Sequence, residues 1–316
     1  MYTNPTAEIR PELNSVLEEA QAADSYFIAN QVFPVFTVDR NTGEYRKITM
    51  SASELLKKGD TTRAPKSGYG QVDRSFEKDN YRTVDRGLEE DVDDVHAAEV
   101  ANTFSLEATS AKLLLRRIKL GMEARVAFKV QNPANFDSVN STVPYTAANR
   151  ATVDFAADIQ AAIKRIKMRG EDANTLVLNR DVFDRIRVSD LFAKFLFGPL
   201  GGGQQVTVEM LGKAFGIPNV LIGDATFDSA DKGQTPVLGY IWQPNYIFLG
   251  NVQGGDFAAG GVGRTLVWTG DTGGSVFVTE TYRKEAIRSD CIRVRSNTDE
   301  KVISKPAGTL IATQWA

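Results

Sequence analysis

The sequence predicts an α+β subunit that is elongated, with one domain inserted inside another. Three observations carry this: helical periodicity over residues 88–129, a compact α/β pattern over 145–251, and strand alternation after 252 with no helix beside it. The 316 residues, 42% hydrophobic and 24% charged, hold enough apolar material for one large or two medium cores. A net charge of -3 argues against tight, sequence-specific nucleic-acid binding on a cationic face. One cysteine, Cys291, and one histidine, His96, exclude internal disulfides, Cys clusters and ordinary His-based metal sites, and suit a reducing compartment. The N-terminus has neither a basic nor an apolar signal region, and no run approaches the roughly 18 apolar residues of a membrane span. Neither signal-directed secretion nor membrane embedding is expected.

Residues 1–35 carry five acids, Glu8, Glu12, Glu18, Glu19 and Asp24, against Arg10. Two strand-like segments follow, "YRKITM" and "SFEKDNYRTVDRGLEEDV", with Tyr45, Ile48 and Met50 set against Phe76, Tyr81 and Val84. Between them lies "LKKGDTTRAPKSGYGQ" (Leu56 to Gln71), which has a single large aliphatic residue. This reads as a two-stranded arm with a polar tip. An isolated hairpin is marginal in water, so the arm is either a mobile loop or an element that lies on another subunit.

From Leu88 to Lys129 the chain has no proline and one glycine, Gly121, while Leu88, Val92, Val95, Ala98, Ala101, Phe104, Ala108, Ala111, Leu115, Ile118 and Met122 recur every three or four residues. Acids fill the start of this run, and Lys112, Arg116, Arg117, Lys119, Arg125 and Lys129 its second half, as the helix dipole favours. About 40 residues at 1.5 Å each would span roughly 60 Å, more than a compact chain of this length accommodates. A break near Gly121 or at Asn102–Thr103 would divide the run into two ordinary helices.

After Pro144 the pattern becomes α/β. A helix is expected in "TVDFAADIQAAIKRIKMRG", capped near Asp154 and ended by Gly170, followed by the buried strand "NTLVLN". One or two helices in "RDVFDRIRVSDLFAKFLFG", a helix in "VTVEMLGKAFG" and strands in "IPNVLIGD" and "PVLGYIWQPNYIFLGN" complete the unit. The later strands, "RTLVWTG", "SVFVTETYRKEAI", "CIRVRSNT" and "KVISKPAGTLIAT", then need the earlier long helix as cover, which makes 72–144 and 252–316 one discontinuous domain.

No motif supplies catalysis. "AAGGVGRT" fails the P-loop pattern at Ala258 and Arg264 and precedes a strand, so a flexible glycine-rich connection between domains is expected. "DTG" at Asp271 lacks the apolar residues of an aspartic-protease signature and reads as a hairpin turn. Adjacent carboxylates such as Asp93 and Asp94 diverge around a helix, which speaks against a metal site. His96 has no nucleophile nearby, and Cys291 sits in an alternating strand. The run "RRIK" could touch phosphates, although such runs are usually solvated. No enzymatic activity and no cofactor are expected.

The order of parts, with the phrases "YRTVDRGLEEDV" and "LGKAFGIPNVLIGDA", resembles the major capsid proteins of tailed bacteriophages. The resemblance implies an α+β Hong Kong 97-type capsid fold: N-terminal arm 1–35, extended β-hairpin loop 36–71, spine helix 88–129 within a peripheral β-sheet domain of 72–144 and 252–316, and an inserted α/β axial domain, 145–251. It further implies self-assembly through pentamers and hexamers into an icosahedral shell around double-stranded DNA contacted non-specifically. The shell would belong to the virion, assembled in the bacterial host cytoplasm without membrane contact. A portal protein is an implied partner, and a decoration protein is left open. Only about 35 residues precede the extended loop, which implies a separate scaffolding protein or earlier cleavage of a longer precursor; with Met1 at the start, the separate protein is expected.

Two sets of site residues follow. Lys57, Lys58, Arg63 and Lys66 of the loop are expected to pair across an interface with a subset of Glu89, Glu90, Asp91, Asp93 and Asp94 of a neighbour. Gly201, Gly202 and Gly203, in "GPLGGGQQ", are expected at the capsomer centre, where glycine fits two ring sizes. Two other readings stay open, an encapsulin-like compartment shell and an oligomeric enzyme without a recognisable motif.

Overall fold

The computed structural model describes residues 8–9, 26–48, 58, 61–69, 76–101, 104–149, 151–199, 204–231, 233–255, 257 and 260–315. Lys57 and Gly201–Gly203 fall outside them, as does most of the 1–35 segment.

Two sheets share one long helix. The first has the order β1-β13-β14-β12-β2, with β5 on the other edge of β14. Its strands are β1 (Glu8–Ile9), β2 (Val35–Val38), β5 (Val84–Asp93), β12 (Gly263–Trp268), β13 (Val278–Lys284) and β14 (Ser289–Val302). The second, β6-β15-β11-β7-β8, is built from β6 (Asp137–Asn140), β7 (Thr175–Asn179), β8 (Asn219–Gly223), β11 (Tyr246–Gly250) and β15 (Gly308–Ala312), while β9 (Thr226–Asp228) and β10 (Leu238–Tyr240) pair with each other. Helix α1 (Ala29–Val32) precedes β2, α2 (Asp94–Val100) follows β5, and α3 (Leu106–Val130) is the long helix.

The expected helix over 88–129 is corrected here. Residues 84–93 form a strand that pairs antiparallel with β14, from Val84 opposite Thr298 to Asp93 opposite Ser289. Leu88 and Val92 lie four apart, and that spacing puts residues on one face of a helix and of a strand alike. Asp93 then caps α2 by accepting from the Val95 and His96 N–H groups, and Ser105 caps α3. The helix therefore has 25 residues, about 37 Å at 1.5 Å each, and it runs through Gly121 unbroken.

α3 buries one stripe, Ala111, Leu114, Leu115, Ile118, Met122 and Val126, against Ile292 and Val294 of β14 and Phe248, Val177 and Leu310 of the second sheet. The second sheet's other face meets four helices, α4 (Phe155–Lys167), α5 (Arg180–Arg187), α6 (Asp190–Phe197) and α7 (Val208–Phe215). Strand alternation divides the two cores: in β11, Phe248 faces α3 while Ile247 and Leu249 face the four helices. β7 is buried along its whole length, as its unbroken apolar run requires.

Two further expectations change. β15 does not join the late strands of the first sheet; it lies between β6 and β11 in the second, so 308–312 and 137–140 both extend the sheet of the 145–251 unit. The Asp271 stretch is a single helical turn, α8 (Thr269–Thr272), ended by left-handed Gly273, and links β12 to β13, which do not pair. Asp271 is held by Arg295 at 2.6 Å and by the Asn297 Nδ2 donor at 2.7 Å.

Candidate inter-subunit surface

The arm is β3 (Thr42–Ile48) paired antiparallel with β4 (Phe76–Arg82), a sheet of two strands. Tyr45 lies opposite Asp79 and Ile48 opposite Phe76. The root of the arm is well anchored. Tyr45 is buried, its ring stacks on Phe257 at 4.4 Å, and its hydroxyl donates to Asp79 Oδ2 at 3.0 Å. Burial, reinforced by that carboxylate, pushes the Tyr45 phenol far above its ordinary value. The Arg82 N–H donates to Asp299 of β14 at 3.1 Å.

The tip is the opposite. Lys58 and every residue from Thr61 to Tyr69 are exposed. Arg63 Nε donates to the Ser67 carbonyl at 2.7 Å and its guanidinium lies 5.0 Å from the Tyr69 ring centroid. Lys66 adopts a left-handed backbone, φ 69°, in the turn between Ala64 and Ser67.

The five candidate acids sit on β5 and its junction with α2, and four of them already have partners in their own chain. Glu89 Oε2 accepts from the Tyr282 hydroxyl at 3.0 Å and from Arg293 at 3.2 Å, with Lys284 3.4 Å from Oε1. Burial works to raise the Glu89 carboxyl, but these hydrogen bonds outweigh it and hold it below its ordinary value. Lys284 also binds Asp91 at 2.7 Å and lowers it, and Arg283 grips Asp94 through two 2.6 Å contacts with the same effect. Asp93 is the helix cap. Glu90 points from the other side of the strand, with its Oε2 buried and without a hydrogen-bond partner among the described residues. The structure thus brings the acids together along one edge but not with Lys58, Arg63 or Lys66 of the same chain.

One polar group was missed by sequence reading. Glu123 is fully buried within the apolar stripe of α3. It accepts from the Ile28 N–H (3.1 Å), the Ala29 N–H (2.8 Å) and Trp242 Nε1 (2.5 Å), tying the entry to α1, the long helix and the approach to β11 together. Burial raises its carboxyl above the ordinary value despite those three donors. Its signal in the sequence was a carboxylate at a position flanked by Met122 and Val126 of the buried stripe. Nearby, Arg125 forms a two-pronged pair with Glu300 of β14 at 2.9 and 3.0 Å. The expected flexible connection is corrected at its described residues: the buried Arg264 guanidinium donates to the carbonyls of Gly255, Gly260 and Gly263 and so ties them to β12.

No group of three or more His, Cys, Asp or Glu suited to a metal ion occurs among the described residues, and no helix there is long and apolar enough to cross a membrane. His96 is exposed and Cys291 is buried as a free thiol.

No protein-family model and no curated protein sequence matches the chain. Solved structures do match. A phage-related protein of Bordetella bronchiseptica superposes with a TM-score of 0.71 at 19% identity over 98% of both chains. The capsid structure of the cyanophage P-SCSP1u gives 0.56 at 11% identity, over 90% of this chain and 86% of that one. The chain has the Hong Kong 97-type capsid fold. That fold is also the fold of the holo-SrpI encapsulin complex of Synechococcus elongatus, matched at 0.53 and 12% identity over 90% of this chain and 85% of that one.

Proposed function

We infer that this chain is the major capsid protein of a tailed bacteriophage, which self-assembles into an icosahedral shell around double-stranded DNA. The observation that carries this is the hairpin arm: its root is locked by Tyr45, Phe257 and Asp299, while its tip is exposed throughout its described length. An arm built this way is completed by a neighbouring copy. The fold likeness to phage capsids over most of both chains supports the same reading. Residues 1–35, 36–71, 72–144 with 252–316, and 145–251 serve as N-arm, extended loop, peripheral domain and axial domain, with 308–312 lending a strand to the last. Gly201–Gly203 lie at the capsomer centre. Lys57, Lys58, Arg63 and Lys66 dock near β5 of the adjacent subunit and exchange partners with its acids.

A portal and a separate scaffolding protein complete the assembly, in the cytoplasm of the bacterial host. Expression of the chain, alone and with candidate scaffolding proteins, tests this by particle mass. Megadalton shells are expected, and an oligomer of a few subunits under every condition would refute it. An encapsulin-like compartment is the second reading, favoured by the shared fold of the Synechococcus complex. The contents of purified particles separate the two: packaged duplex in one case, an enclosed protein in the other.

A further inference from the structure

The two broad faces of the first sheet and its helix differ in how their charges are balanced. On the sheet side the cations within β13 and β14 are paired: Arg283 with Asp94 and Asp290, Lys284 with Asp91, Arg293 with Glu89 and Glu280, Arg295 with Asp271 and Glu280, and Lys301 with Asp299. On the outward side of α3, Lys112, Arg116 and Arg117 are exposed and have no carboxylate partner among the described residues. The helix itself offers none, because the positions three and four residues before and after each of them hold Thr109, Ala108, Leu113, Leu114, Leu115, Lys119, Leu120, Gly121 and these cations themselves. Arg116 is instead placed over the Tyr26 ring, 5.7 Å from its centroid, a contact that orients the guanidinium and leaves its charge intact.

At 3.6 residues per turn, Arg116 and Arg117 stand about 40° and 140° round from Lys112 and about 6 and 7.5 Å along the axis. That is a broad cationic strip with Leu113 at its middle. Such a strip suits a regular row of phosphates. It has no Asn or Gln with which to read adenine edges, and Arg116 is oriented by the Tyr26 ring.

We propose that the outward face of α3, through Lys112, Arg116 and Arg117, is the surface that meets the phosphate backbone of double-stranded nucleic acid, and that it therefore faces the lumen. This rests on the shell reading given above. Three phosphate contacts carry a slope of about -2.7 in log affinity against log salt, equivalent to about a 40-fold loss between 50 and 200 mM.

The test uses the unassembled fraction of the full chain, separated from particles by size exclusion, and fluorescence anisotropy with a labelled duplex of mixed sequence. K112Q/R116Q/R117Q should lose about 2.7 from the salt slope with an unchanged melting temperature. K58Q/R63Q/K66Q, on the arm tip, should keep the wild-type slope. An unchanged slope in the helix variant, or an equal loss in the arm variant, overturns the proposal. Displacement of the duplex by polyglutamate at equal charge would also overturn it and assign the face to an acidic protein segment. Particle mass from the same preparations reads the shell separately. A slope that falls as expected in a chain forming no shells keeps the nucleic-acid surface and removes the lumenal placement.

Discussion

The Glu123 junction and the tip of the arm stand at opposite ends of one scale. At the junction, segments around residues 28, 123 and 242 converge on one carboxylate that no solvent reaches. At the tip, residues 61–69 are all exposed, and the contacts described there join residues at most six apart. One region is finished within the single chain, whereas the other leaves Lys58 and Lys66 exposed and, among the described residues, engages Arg63 and Tyr69 only with each other and Ser67. A shell subunit needs both, since it must fold before it meets its neighbours and still have surface left with which to bind them.

The largest effect is therefore expected at the junction. Glu123→Ala leaves three buried donors unpaired and should cost about 3–5 kcal/mol, read as a lowered urea midpoint. Glu123→Gln keeps one acceptor oxygen and should cost roughly half as much. Next comes the pair that pins α3 to β14. Glu300 is almost fully buried while Arg125 keeps partial access to water, so Glu300→Ala should cost about 2–3 kcal/mol, below the range for a fully buried pair.

The acidic edge lies between the extremes, and pH reads it. Glu89, Asp91 and Asp94 are held below their ordinary values by Tyr282, Arg293, Lys284 and Arg283. A depressed carboxyl stabilises the fold above its unfolded pKa, about 4, and loses that contribution as pH falls through the lower folded value. The melting temperature should accordingly drop below about pH 4, and less steeply in Arg283→Gln/Lys284→Gln, where Asp91 and Asp94 have lost these partners while Glu89 keeps Tyr282 and Arg293. A parallel pH profile in that variant would assign acid sensitivity to other groups.

At the tip the smallest effect on stability is expected. Lys58→Glu/Arg63→Glu/Lys66→Glu should change unfolding free energy by no more than about 0.5 kcal/mol. If the tip docks as proposed, each loop contact would be an exchange of partners, because Glu89, Asp91 and Asp94 already bind Arg293, Lys284 and Arg283 of their own chain. A net gain of about 0–1 kcal/mol per pair follows, multiplied over every subunit of a shell. At 1 M salt the screening length falls to about 3 Å, and shells should loosen.

How much of this was legible depended on whether one physical rule acted alone. The helix Phe155–Lys167 and the strand Thr175–Asn179 followed directly from a helical stripe capped by Asp154 and from an unbroken apolar run. The arm was legible because a polar tip between two strand-like segments leaves few alternatives. Residues 84–93 were misread since a spacing of four satisfies helix and strand alike, and only the ladder to β14 decides between them. β15 was assigned to the wrong sheet because a short apolar strand carries no label for its partners. The β5 acids looked free because their partners, Arg283, Lys284 and Arg293, lie about 190 residues or more away in the chain. Glu123 was passed over because a helical pattern is scored by its apolar members.

The central claim is that the arm is completed by a neighbouring copy, and shortening the arm tests it most directly. A chain in which residues 58–69 are replaced by a two-residue turn should be compared with the wild type by particle mass and by urea unfolding in the same buffer. The account predicts an unfolding midpoint close to that of the wild type, with subunits or capsomers present and closed shells absent. Wild-type shells formed in normal yield by the shortened chain would contradict it.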